Sequence, residues 1–225
     1  MSTRIILMLF LAVGLRSQVR ETVRYDLMDS FRNDQLTVHN RHVETVSDKN
    51  RKWISMSEET GEGLVWLKDV SFSTGTIDID LKGKDVFQRS FVGIAFHGLN
   101  DSTFEAVYFR PFQFHTEDTA RKKRAVQYIS LPEFTWQRLR SEHPGVYEKP
   151  VIPGPDPNEW FHTSLVITEK EILVYVDHHP VPVLRVGSLS GRKTGKIGLY
   201  TADRSGGSFS KLSIEHSLAP SNRTK

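Results

Sequence analysis

Two carboxylates, an arginine, a tyrosine, a glutamine and a tryptophan are the side chains of this sequence best suited to act on a ligand. Glu105, Tyr108 and Arg110 fall within one apolar and aromatic run, Phe104 to Arg110, and Gln127, Glu133 and Trp136 follow it. Glu105 or Glu133 could serve as an acid/base, the kind of group that hydrolysis of a glycosidic bond uses. Tyr108, Arg110 and Gln127 could supply hydrogen bonds, the guanidinium as a planar fork of donors suited to hydroxyls or a carboxylate. An ion pair that pins the following loop is the alternative for Arg110. Trp136, flanked by Thr135, Gln137 and Arg138, is a flat ring that could stack on the apolar face of a pyranose. Strand alternation puts Tyr108 and Arg110 on one face and Glu105 on the other, unless a bulge intervenes. Pro111 stops the strand just after Arg110, which places the guanidinium at a sheet rim.

The elements that must position these groups read as strands. Residues 162–168 (His-Thr-Ser-Leu-Val-Ile-Thr) and 171–177 (Glu-Ile-Leu-Val-Tyr-Val-Asp) are β-branched and aromatic, separated by Glu169-Lys170 and followed by the turn Asp177-His178-His179-Pro180. That pattern predicts a hairpin in an antiparallel sheet. Further strands are expected near 36–46, 52–56, 63–67, 76–81, 91–97, 104–110, 125–130, 181–186, 196–201 and 208–216. Ile77, Ile79 and Leu81 alternate with Asp78 and Asp80, so the two aspartates belong on the solvent face of an outer strand. Helix is confined to a turn within Asp26–Arg32 and a short piece at Thr135–Ser141. Residues 111–159 carry Pro111, Pro132, Pro144, Pro150, Pro153, Pro155 and Pro157 together with Trp136 and Tyr147. Proline at this density predicts a long ordered loop packed on the body of the fold, and such loops often carry function. Trp160 is expected to begin the next strand and to pack in the core. The whole predicts one all-β domain, an antiparallel sandwich of the jelly-roll type.

Composition narrows the chemistry. The chain has 225 residues and no cysteine, which removes disulfides, thiolate metal sites and a cysteine nucleophile. Ile5 to Leu15 is an apolar run after a positive start, too short to span a bilayer and suited to a secretory signal over residues 1–18, leaving 19–225 as the mature domain. Of 30 lysines and arginines, two lie in that segment, so 28 remain against 27 acidic residues and the basic balance does not indicate nucleic-acid binding. A secreted or periplasmic location in a bacterial envelope is expected, with no membrane insertion once the signal is removed. The run Arg121-Lys122-Lys123-Arg124 reads as a solvated loop in preference to an anion site. His97, His115, His143, His162, His178 and His179 lack metal-ligand spacing, so no metal site or other cofactor is predicted.

A resemblance adds to this reading. Trp160-Phe161-His162, the run to Tyr175-Val176-Asp177, Gly195-Lys196-Ile197-Gly198-Leu199 and Phe209-Ser210-Lys211-Leu212-Ser213-Ile214 resemble the concanavalin A-like lectin/glucanase superfamily, in its laminin-G-like form. Ser90-Phe91-Val92-Gly93-Ile94 and Phe104 to Phe112 are similar to the branch of 3-keto-disaccharide hydrolase domains. His178-His179-Pro180 stands where such proteins more often have glycine, which implies a different turn. The resemblance covers residues 30–216 and implies a carbohydrate partner, with a groove beside the 111–159 loop. It also raises a structural calcium, for which Asp156 and Asn158 offer loop oxygens. Thr76-Ile77-Asp78-Ile79-Asp80 is superficially similar to the catalytic strand of family-16 glucanases, but Thr76 replaces the leading glutamate. Three readings follow: a glycan-binding module using Tyr108, Arg110, Gln127 and Trp136; a glycoside hydrolase using Glu105 or Glu133; and an envelope domain that binds another protein.

Overall fold

The computed structural model describes residues 21–217; the predicted export segment 1–18 lies outside them. The chain opens with β1 (Thr22–Tyr25), α1 (Leu27–Arg32), β2 (Leu36–His39), β3 (Val43–Ser47), β4 (Lys52–Glu59), β5 (Gly63–Phe72) and β6 (Gly75–Lys82). β7 (Val92–Asn100), β8 (Thr103–Phe109), α2 (Thr119–Lys122), β9 (Val126–Ser130), α3 (Trp136–Glu142) and β10 (Glu148–Lys149) follow. The C-terminal part comprises β11 (Phe161–Ile167), β12 (Ile172–Val176), β13 (Leu184–Val186), β14 (Gly195–Thr201) and β15 (Ser205–His216). They form two antiparallel sheets. The first runs β13-β12-β11-β6-β15-β4-β3, with β1 also on β15; the second runs β10-β9-β8-β7-β14-β5-β2.

The inner faces meet in one core. Ile77, Ile79, Leu81, Leu165 and Ile214 from the first sheet pack with Val65, Ile94, Phe96, Val107 and Phe109 from the second. The period-2 rule explains which residues enter it: on β8 the odd-numbered side chains point inward and the even-numbered ones outward. The outer face of the second sheet is not simply solvated. Leu64, Trp66, Phe104, Tyr108 and Tyr200 form a second apolar cluster there, closed at one side by Leu139 of α3.

Several expectations need revision. The strand predicted across 36–46 is two strands in different sheets: Asn40 takes φ 51° and the chain crosses over through residues 40–42. Arg41, only 7% exposed, secures the crossover by donating to Gly61 O, Thr201 Oγ1 and Ala202 O. The stretch 111–159 is not one loop, because β9 and β10 extend the second sheet and α2 and α3 sit beside it. Its prolines fall between these elements, where a missing N–H costs no ladder bond. Trp160 stays out of the core, edge-on to Trp53 with the Arg51 guanidinium over its ring, while Phe161 enters the core. At the Asp177 turn both central residues have positive φ, Asp177 at 46° and His178 at 58°, the pattern of a type I′ hairpin turn.

Candidate functional site

A groove of about 600 Å³ opens on the outer face of the second sheet. Its floor comes from alternation: Tyr108 of β8, Ile129 of β9 and Tyr200 of β14 all point outward. Gly93, opposite Tyr108 on β7, makes room for this floor, since a Cβ there would lie 2.7 Å from the Tyr108 Cβ. One wall is α3. Thr135 caps it by accepting from Arg138 N, and Leu139 anchors it on the outer cluster. Trp136 and Arg140, one turn apart, then border the groove, with the Arg140 guanidinium 4.7 Å from the Trp136 ring centre. Trp136 is 40% exposed, an unusual position for so large an apolar ring. Phe87, Phe91 and Phe112 line another part, with Phe112 edge-on to both Phe87 and Phe91.

The predicted ligand residues assemble here in large part. Tyr108, Arg110 and Trp136 border the groove together. Gln127 stands behind them: its Oε1 accepts from Arg110 at 3.4 Å, while its Nε2 donates to Tyr128 O and Tyr147 O. Arg110 makes no ion pair among the described residues. It donates to Arg124 O at 2.6 Å and to the Tyr108 hydroxyl at 2.9 Å, so it does pin the loop, but through a carbonyl. Burial pushes the Tyr108 hydroxyl up to about 12, so it remains a neutral donor and acceptor.

The two predicted catalytic carboxylates do not meet. Glu105, 0% exposed, lies on the inner face of β8. A bulge after Phe96, with His97 at φ 47°, turns His97 to the same side, and its Nδ1 lies 2.9 Å from Glu105. The hydroxyls of Tyr128, Ser188 and Ser190 also donate to Glu105. Burial alone would raise its carboxyl, but the bonds from His97, Ser190 and Tyr128 outweigh it and hold the group below the usual range. This is a closed interior network. Glu133 sits exposed on the turn before α3, paired with Arg138 at 3.2 Å, and does not line the groove.

Sequence reasoning missed the groove's own carboxylates, Glu62 and Asp203. Glu62 directly precedes β5 and accepts the Tyr200 hydroxyl; burial pushes its carboxyl up against that bond and the nearby Arg41 charge. Asp203, in the turn after β14, is held low by the Gly61 N–H and by Arg204. Neither lies in a recognisable motif, and only the β5–β14 pairing brings them near each other. The basic run is largely solvated, as expected, but it also reaches the groove. Arg121 and Arg124, three apart across the end of α2, both line the groove.

Outside the groove, the first sheet carries a triad-like cluster. Ser164 Oγ is 3.3 Å from His162 Nε2, and His162 Nδ1 is 2.9 Å from Asp80. It is not poised as a nucleophile and base. Hydrogen bonds to Asp78 and Asp80 raise His162 to about 9, so it holds its proton at neutral pH, and the Ser164 hydroxyl donates to Asp78. Asp80 also meets Arg51 and Lys211, so these aspartates are enclosed in a charge network and not free on a solvated face. The loop oxygens considered for calcium are engaged, Asp156 with Asn158 N and Asn158 with Asp85 N. Among the described residues no group of three acidic or histidine side chains is placed to hold a metal.

No protein-family model matches the chain, and no curated protein matches it. Solved structures do. A Bacillus subtilis protein of unknown function with a galectin-like fold aligns over 90% of this chain and 100% of its own, at 11% identity and TM-score 0.58. A family-16 endo-glucanase from Bacteroides ovatus covers 86% of this chain and 99% of its own, at 11% identity and TM-score 0.56. The carbohydrate binding module CBM66 from Bacillus subtilis covers 81% and 92%, at 15% identity and TM-score 0.50. The fold is therefore the concanavalin A-like jelly roll.

Proposed function

We propose that this protein binds a glycan in the groove on the outer face of its second sheet, and that it is exported to do so. The observation that carries this reading is the meeting of Tyr108, Arg110 and Trp136 in one groove of about 600 Å³, a size suited to a small oligosaccharide. Trp136 offers a flat, half-open face for a pyranose ring, and the Tyr108 and Arg110 head groups offer hydrogen bonds beside it. Structurally similar proteins include a carbohydrate-binding module, which supports a carbohydrate partner. A glycan array run with the parent protein and Trp136→Ala tests the proposal. Trp136→Ala should bind about tenfold more weakly, a loss of about 1.4 kcal/mol, with its melting temperature kept. Binding that is indifferent to Trp136, or absent from every glycan, rejects the groove.

A second reading, hydrolysis, is favoured by the opposed character of Glu62 and Asp203. Burial raises the Glu62 carboxyl while hydrogen bonds hold Asp203 low, and glycosidases use such a divergence to separate an acid from a base. This shifts the enzymatic proposal from Glu105 and Glu133 to the groove pair. Turnover assays on array hits and on 3-keto-glycosides would decide it: Glu62→Gln should lower kcat by more than about a hundredfold while binding persists. No turnover by the parent on any bound glycan leaves the binding reading alone.

A further inference from the structure

The groove contains a positive charge that the protein does not neutralise. Arg110 is 4% exposed, yet no carboxylate among the described residues lies within ion-pair distance of it. Its acceptors are neutral: Arg124 O, the Tyr108 hydroxyl and Gln127 Oε1. These take three of its five N–H donors. The rings of Tyr108 and Phe91 also face it, with the guanidinium carbon 4.9 and 5.7 Å from their centres. Of the nearby charged side chains, Arg140 and Glu148 act on it with opposite sign. A buried cation without a counter-ion is costly and calls for one.

The neighbouring charges point the same way. Glu148, 5% exposed, holds Arg140 by a two-pronged contact of 2.6 and 3.0 Å and Arg124 at 3.5 Å. At this end of the groove, therefore, there are three guanidinium groups and one carboxylate, which pairs with Arg140 and Arg124 and leaves Arg110 without a partner ion. The other arginines of the lining have their own carboxylates: Arg121 pairs with Asp118, which lies outside the lining, and Arg204 with Asp203. Glu62 is occupied by the Tyr200 hydroxyl. A surplus of arginine forks beside an exposed tryptophan suits an anionic group carried on a ring with an apolar face.

We infer that the ligand is an acidic saccharide, with a carboxylate or sulfate group of the sugar seated on Arg110 between Arg124 and Arg140. This rests on the glycan-binding reading above and specifies its ligand class. Trp136 would hold the ring while the arginines hold the charge, so neither a neutral sugar nor a free anion would satisfy both parts. Uronic-acid and sulfate-ester units share this chemistry and differ in the geometry of the anion.

Calorimetric titration with oligosaccharides of equal length tests the inference, using a neutral glucan fragment, an oligouronate and a sulfated galactan fragment at low and high salt. One acidic oligosaccharide should bind at least about tenfold tighter than the neutral one, and that advantage should shrink as salt rises. Arg140→Gln should lose the advantage. Because it takes one of two guanidinium partners from the buried Glu148, it should also lower the melting temperature, so its affinities are read below its own unfolding transition. Arg124→Gln serves as an independent variant should Arg140→Gln unfold. Whichever acidic arm binds identifies carboxylate or sulfate. Neutral binding as tight as acidic binding, or equal weakening of all glycans by both arginine variants, overturns the inference and leaves glycan binding standing. Competition by inorganic sulfate as strong as that by the sulfated fragment also overturns it, because the sugar then contributes nothing. Absence of any glycan binding removes both readings together.

Discussion

Glu105 and Tyr108 share one strand yet face different surroundings, and that contrast decides which residues can touch a ligand. Alternation alone separates them, and it is readable from the order of residues on β8. What the order does not reveal is that Glu105 finds four partners inside the sandwich, because His97 arrives through a bulge and Ser188 and Ser190 from a distant connection. Glu105→Ala should therefore act as a stability mutation, costing about 3 kcal/mol in denaturant titrations by leaving His97 and Tyr128 without their partner. The same substitution should leave glycan affinity within twofold once the protein is folded. Loss of affinity at unchanged stability would return Glu105 to the functional site. Arg110 and Trp136 were legible because a proline follows the one and polar residues flank the other. Glu62 and Asp203 were not, since their meeting depends on a long-range pairing that no local pattern announces.

Among the elements, the β11–β12 hairpin and both helices longer than one turn follow their local signals closely. Thr168 Oγ1 accepts from Lys170 N and Glu171 N to shape the hairpin turn, and Asp26 and Thr135 cap α1 and α3. Less legible was the use made of the polar faces. His162 of β11 and Asp78 and Asp80 of β6 are cross-strand neighbours, Asp80 directly opposite His162, and they form a charged cluster with Ser164. His178 stacks on His162 with ring centres 4.3 Å apart. Because folding raises His162 to about 9, its contribution is full below the unfolded histidine value near 6.5 and is lost as pH climbs through about 9. Asp80 is held low in the fold, so its contribution has the opposite sense and disappears in acid. Melting temperature should thus decline from neutral pH towards pH 9, and His162→Gln should flatten that decline. A parent protein whose stability is level across this interval would show that the cluster does not couple protonation to folding.

At the scale of the whole molecule, the second sheet is covered on both sides. Phe109 looks into the inter-sheet core and Phe104 into the outer cluster, both 0% exposed. Phe104→Ala should consequently cost about as much as Phe109→Ala, about 3–5 kcal/mol in each case, where a half-solvated sheet would make the outer change mild. A denaturant midpoint barely altered by Phe104→Ala would mean that the outer cluster adds little. The jelly-roll class was legible from many short strands with alternating faces, but the second apolar layer was hidden in residues such as Trp66, Phe104 and Tyr200, which local alternation cannot assign to one burial or another. The crossover residue Arg41 has a consequence for the order in which this architecture can be completed. Its guanidinium joins Gly61, 20 residues away, to Thr201 and Ala202, 160 and 161 residues away. Those same turns present Glu62 and Asp203 to the groove. A chain emerging from synthesis can therefore build its early hairpins without a binding rim, and the rim forms only when β14 closes a long loop onto β5.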